Sequence, residues 1–160
     1  MTLVNRFFSG HPYRLAIAAT VVLAGAAAAW YLGSPLFITT YANEALPAAV
    51  DSKVLVRGDL GFIDNLHNGK GEVRVVQAGS QRFVRFENVA ITNAPDIHIY
   101  LSKDTGGRYL EPNTLYLGAL KATNGSFSYE IPASADLAQY KSVVAWCRNF
   151  ATLITWADLR

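Results

Sequence analysis

Cys147 is the single cysteine of this chain, set in the run Tyr140-Lys-Ser-Val-Val-Ala-Trp-Cys-Arg-Asn-Phe150. With no second cysteine to pair with, its thiol is either packed as a small hydrophobe or kept for redox or soft-metal chemistry. His98 lies in Asp96-Ile-His-Ile-Tyr-Leu101, where period 2 puts Asp96, His98 and Tyr100 on one face. A carboxylate beside an imidazole handles protons, or simply holds the ring in place. His67 stands in Leu66-His-Asn-Gly-Lys-Gly71, a loop before a strand, where an exposed histidine is the plain reading. Two histidines, one cysteine and one aspartate form a donor set that copper or zinc could use, but their spacing does not demand a metal. Arg148 follows Cys147 directly and so points to the opposite face, which makes it a poor thiolate stabiliser.

Several chemistries find no motif. There is no Cys-x-x-Cys, no haem-attachment Cys-x-x-Cys-His and no His-x-x-x-His. Gly-x-Ser-x-Gly, the P-loop and Gly-x-Gly-x-x-Gly are also missing, so neither a hydrolase nor a nucleotide-binding enzyme is indicated. Asn124-Gly-Ser126 fits a glycosylation sequon, and equally a turn.

These residues need a scaffold, and the pattern is mostly β. Short alternating stretches run through Val54–Gly58, Glu72–Gln77, Arg82–Glu87, Asp96–Leu101, Thr114–Gly118, Ser126–Ile131, Ser142–Cys147 and Thr152–Ile154. Turn signals separate them, with Asn68-Gly69 and Asn124-Gly125 favouring tight hairpins. Many short strands predict an all-β domain, an antiparallel sandwich or a partly open barrel. The Cys147 strand is apolar on both faces, as a central strand would be. Ser134–Tyr140 gives the one hint of helix in this part. Trp146, Phe150 and Trp156 are expected in the core.

The N-terminal part is different. From Leu15 to Leu32 no side chain is charged. As a helix this stretch would be about 27 Å long, close to a hydrocarbon core of roughly 30 Å. The predicted organisation is a cytoplasmic stub over 1–14, a transmembrane signal-anchor helix over 15–38, a linker over 39–52 and an extracytoplasmic domain over 53–160. Arg6 and Arg14 precede the span, which orients the N-terminus to the cytoplasm and the domain to the periplasm or cell surface. A cleaved signal peptide, cut near Ala26-Ala27-Ala28, is the rival expectation and exports the domain equally. The two arginines also account for the whole formal charge of +2. The remainder is neutral, which leaves no electrostatic footprint for nucleic acid.

Taken in order, the landmarks resemble one family. They are Gly61-Phe62, His67, Gly69, Phe86, Val89, Asn93-Ala-Pro-Asp-Ile-His-Ile-Tyr-Leu101, Leu115-Tyr-Leu-Gly-Ala-Leu-Lys121, Tyr129-Glu-Ile-Pro132, Tyr140 and Ser142-Val-Val-Ala-Trp-Cys-Arg148. Phe150, Ala157 and Leu159 close the pattern, which is similar to the DM-thirteen domain, a module often found beside DOMON domains and proposed to transfer electrons. The resemblance implies a sandwich-like domain with Cys147 as redox candidate. It also matches His67, Asp96 and His98, as proton or metal partners, without fixing their roles. No DOMON or haem-binding segment accompanies the domain in this sequence, so the resemblance implies a separate redox partner protein. It requires no cofactor, and a metal stays open. The alternative expectation is a non-catalytic binding or assembly domain of the cell envelope with Cys147 as packing.

Overall fold

A computed structural model describes residues 12–45 and 52–160. Residues 1–11, with Arg6 and His11 of the expected stub, and residues 46–51 of the expected linker lie outside the described residues. The described chain forms two compact units that divide after Phe37.

The first unit holds helix α1, Pro12–Phe37. Proline suits a helix start, because its missing N–H is unused there and its φ is already helical. The helix runs on through Gly33-Ser34-Pro35, within the span expected over 15–38. Tyr13–Ser34 has a mean hydropathy of 2.0 and buries none of its apolar window. Within it Thr20 Oγ1 donates to the Ala16 carbonyl at 2.9 Å. It is one helix long and apolar enough to cross a membrane.

Among the described residues, the second unit is a two-sheet sandwich of nine strands. They are β1 (Tyr41–Asn43), β2 (Ser52–Asp59), β3 (Gly69–Ala78), β4 (Gln81–Ile91) and β5 (Ile97–Ser102). Then come β6 (Thr114–Ala119), β7 (Asn124–Ile131), β8 (Ser142–Cys147) and β9 (Thr152–Asp158). One sheet has the order β1-β7-β4-β3-β2 and the other β6-β5-β8-β9. No barrel closes. Every pairing is antiparallel except β1 with β7.

Strand β1 falls within the stretch expected to be linker. Asn124 and Gly125 are its partners in β7, so this Asn-Gly pair opens a strand and does not turn a hairpin. Asn68-Gly69 likewise leads into β3, and the β3–β4 turn is made at Gly79-Ser80. The expected helix reduces to one 3-10 turn, Leu137–Gln139, capped by Asp136.

Alternation builds the core between the sheets. Val84, Phe86, Phe127 and Tyr129 face inward from the first sheet, and Ile97, Ile99, Leu101, Val143, Ala145 and Cys147 face them from the second. Phe86 stacks on Phe127 with centroids 5.1 Å apart. The outward positions of the first sheet carry ion pairs, such as Arg85 with Glu87 at 2.9 Å. Tyr129 joins the sheets at one edge, donating to the Ala119 carbonyl and accepting from the Lys121 N–H. Backbone bonds between Arg57 and Arg160 close the other.

Phe150 is exposed, and Trp146 and Trp156 are half-buried, so these three aromatics do not form the core. Trp146 alternates with Cys147, and the inward positions of β8 go to the smaller Val143, Ala145 and Cys147.

Candidate functional site

Register decides which candidates meet. In the β5–β8 pair Ile97 lies opposite Cys147, and His98 opposite Trp146. Cys147 therefore points into the core and His98 outward, on opposite faces of one sheet. Cys147 is 0% exposed, and its S–H donates to the Pro95 carbonyl at 2.7 Å. The thiol is enclosed and its polar bond is made.

The outward face carries a different constellation. Asp96 has φ of 62°, a left-handed conformation that aspartate tolerates better than most residues. Its carboxylate Oδ1 stands 2.7 Å from Nε2 of His98. A carboxylate only accepts, so in the neutral ring Nε2 carries the proton and Nδ1 is free to accept. Nδ1 lies 3.0 Å from the Tyr116 hydroxyl, which donates to it. Asp96, His98 and Tyr116 thus form one hydrogen-bonded row, with Tyr116 47% exposed at its end.

Tyr116 arrives there through an irregularity. Ile99 pairs with Gly118 but Tyr100 pairs with Tyr116, so Leu117 is the extra residue of a β-bulge. Gly118, at φ of 147°, takes the unusual conformation this needs. The shift keeps Tyr116 on the outward face, beside Tyr100 and His98.

Arg148 closes the cluster. Its Nε donates to the Tyr100 hydroxyl at 2.6 Å, and its guanidinium lies 4.6 Å from the Tyr116 ring centroid. The Tyr100 bond raises the arginine's already high pKa further, so it stays charged. Next to it Tyr109 stacks on Trp146 at 4.3 Å and meets Tyr100 edge-on at 5.1 Å. Tyr109 belongs to the loop between β5 and β6, which Ser142 and Gly106 pin down through Asp104 and Asp158. Burial and the bond with Tyr100 push the Tyr109 phenol up to about 12.

His67 stands apart from this row. Asp64 accepts from its backbone N–H at 2.7 Å and from Nδ1 at 3.0 Å, which organises the loop before β3. The bond from the His67 ring, with a further one from Leu66 N–H, holds the Asp64 carboxyl below its ordinary value. Among the described residues, no hydrogen bond, ion pair or ring contact joins His67 to His98 or Cys147. Nor does any group of three or more histidine, cysteine, aspartate or glutamate side chains there converge as a metal site.

Sequence reading reached Asp96, His98 and Tyr100 on one face, and Arg148 turned away from Cys147. It missed Tyr116 and Tyr109. Tyr116 was visible only as an alternate position of a strand, and its partnership with His98 depends on strand order and on the bulge.

The fold and site define a two-sheet β domain with a hydrogen-bonded Asp–His–Tyr row on one outward face. The family model described as electron transfer DM13 matches residues 61–159, well over half of the chain, and the chain belongs to that family. The match begins at Gly61, so β1, β2 and helix α1 lie outside it. No curated protein and no solved structure matches this chain.

Proposed function

We propose that this chain is a membrane-tethered, extracytoplasmic electron-transfer module that serves a separate redox protein. The observation that carries the reading is the Asp96–His98–Tyr116 row. Among the groups on β6 and β8 that can give up an electron, Tyr116 and Cys147 differ in where the proton goes. Tyr116 has an acceptor in place. A one-electron acceptor of the partner whose potential lies above that of the tyrosine couple takes one electron from the phenol. The phenolic proton passes to Nδ1 of His98. The resulting imidazolium is balanced by the Asp96 carboxylate. A neutral tyrosine radical and a reduced partner centre remain. The Arg148 guanidinium disfavours a positively charged ring beside it, which ties electron loss to proton loss.

Cys147, the redox candidate named by the family resemblance, has only a carbonyl beside its S–H. A carbonyl is no base at neutral pH, so thiol chemistry there requires the Asn93–Asp96 segment to move aside. His98 and Asp96 act as proton partners to Tyr116 in this proposal, and His67 organises its own loop. The α1 helix serves as the anchor, with Arg6 and Arg14 on the cytoplasmic side.

The test is the rate at which the full chain bleaches hexachloroiridate(IV), a one-electron oxidant. Tyr116→Phe is expected to slow the first electron at least tenfold, and Cys147→Ser to leave it unchanged. The reverse pattern moves the chemistry to the thiol.

A second reading has its own observation. The complete enclosure of Cys147, with its hydrogen bond made, is what a packing cysteine shows. In that reading the domain is a non-catalytic binding or assembly module of the cell envelope. Equal bleaching rates for wild type, Tyr116→Phe and Cys147→Ser would favour it.

A further inference from the structure

Most large apolar side chains of the sandwich are inside, but one loop shows the opposite. Phe62 is 62% exposed, Ile63 42% and Leu66 73%. Single exposed apolar residues are ordinary, whereas three within five positions make a patch. The loop is built to display them. Asp64 Oδ1 accepts from the N–H groups of Leu66 and His67, each at 2.7 Å, and the His67 carbonyl accepts from Ile63 N–H at 3.0 Å.

The pairing register places this loop at one end of the sandwich. Gly69, which follows it, pairs with Ile91 at the end of β4. Ala90 pairs with Asn124 at the start of β7, and Asn124 pairs with Tyr41 at the start of β1. Thr92 N–H donates to the Asn68 carbonyl, and Asn124 N–H donates to the Thr40 carbonyl. The β8–β9 turn is at the same end, since Arg148 N–H donates to Asp96 just before β5. That turn presents Phe150, 58% exposed, while Tyr41 of β1 is 74% exposed.

Ile38 and Thr39 alone separate the last helical residue, Phe37, from Thr40, which is already bonded to Thr123. Three steps of extended chain reach about 10 Å at most. The apolar loop therefore occupies the end of the domain through which the chain arrives from α1.

We propose that this end is a membrane-contacting surface, with Phe62, Ile63, Leu66 and Phe150 seated in the lipid interface. The proposal rests on reading α1 as a membrane anchor. Aromatic and aliphatic side chains gain by entering the interfacial region. The Asp64 carboxylate of the loop is bonded to the His67 ring at 3.0 Å, and Glu44 is paired with Lys121 at 2.7 Å. Contact in this proposal is driven by burial of the apolar side chains. It would hold the domain close to the bilayer with this end down, and leave the β3–β4 turn at the far end in water.

The experiment places spin labels on the full chain in phosphatidylcholine liposomes, at Leu66→Cys, Ser80→Cys and Val22→Cys in turn. Wild type treated in parallel reports any labelling of Cys147. Power-saturation with oxygen and with a nickel chelate reads the depth of each label. The expected result is a lipid-like oxygen preference at Leu66, shifted toward that at Val22, and a water-like value at Ser80. A Leu66 label as aqueous as Ser80, with Val22 still immersed, overturns the docking surface and leaves the anchor standing. Aqueous values at all three sites overturn the anchor and the docking surface together.

Discussion

The sulfur of Cys147 stands 2.7 Å from the carbonyl of Pro95, so the residue that ends the Asn93-Ala-Pro turn caps the only thiol in the chain. Strand register already puts the thiol on the face opposite His98, and this contact satisfies it there. It also makes thiol accessibility a direct measure of local opening. In the folded full chain the thiol is expected to react with a maleimide on the order of a thousandfold more slowly than in denaturant. Equal rates would mean that the Asn93–Asp96 segment does not stay closed. Cys147→Ala, which empties a packed position and leaves the Pro95 carbonyl unpaired, is expected to cost about 1–3 kcal/mol in urea unfolding.

The bond to Asp96 assigns a tautomer to His98. At a pH where the ring is neutral, its proton is expected on Nε2, with Nδ1 accepting from Tyr116. Nitrogen-15 chemical shifts of the two ring nitrogens read this directly. Asp96→Asn is expected to shift the balance toward the Nδ1–H form, because the amide can donate to Nε2. A wild-type ring protonated at Nδ1 would dissolve the row as a proton path to His98.

Acid sensitivity is expected from the outward face of the first sheet. The hydrogen bond from Arg85 holds the Glu87 carboxyl below its ordinary value of 4.5, against a smaller opposing effect of burial. A lowered folded pKa gives stability that is present above 4.5 and is lost as the pH falls through the lower folded value. Glu87→Gln leaves the buried Arg85 without its carboxylate, and is expected to cost about 1–3 kcal/mol at pH 7. The gap between variant and wild type should close in unfolding curves as the pH falls from 4.5 through the lower folded value. A gap independent of pH would assign the loss to packing.

Gly125 supports the junction of β1 with β7. It has φ of 109°, and a methyl group there would collide with the Ala42 carbonyl. Gly125→Ala is expected to destabilise the domain by about 2 kcal/mol or more and to release β1 first. Faster amide exchange at Ala42–Glu44 than elsewhere in the sheet would show it. Unchanged exchange there would contradict the role assigned to the close approach.

Much of the fold could be read from local pattern. Strands such as Glu72–Gln77 and Ser142–Cys147 announce themselves by alternation, and the faces of Cys147, His98 and Arg148 follow from period 2 alone. Strand β1 escaped notice because three residues, Tyr-Ala-Asn, carry no period, and their parallel pairing is a property of β7. The outward aromatics misled for a related reason. Trp146 and Trp156 are large and apolar enough for any core, but their parity puts them outside, where the Tyr109 loop covers Trp146. The candidate site was half legible. Asp96 and His98 are two residues apart in one strand, whereas Tyr116 joins them only through sheet order and a bulge that no local pattern encodes.

The most direct measurement is electron paramagnetic resonance of the full chain, freeze-quenched after one equivalent of hexachloroiridate(IV). A tyrosine radical signal that disappears in Tyr116→Phe and persists in Cys147→Ser is predicted. Its yield should fall in His98→Phe, where the proton acceptor is gone. A signal that survives Tyr116→Phe unchanged, or no radical at all in wild type, would contradict the assignment of electron transfer to the Asp96–His98–Tyr116 row.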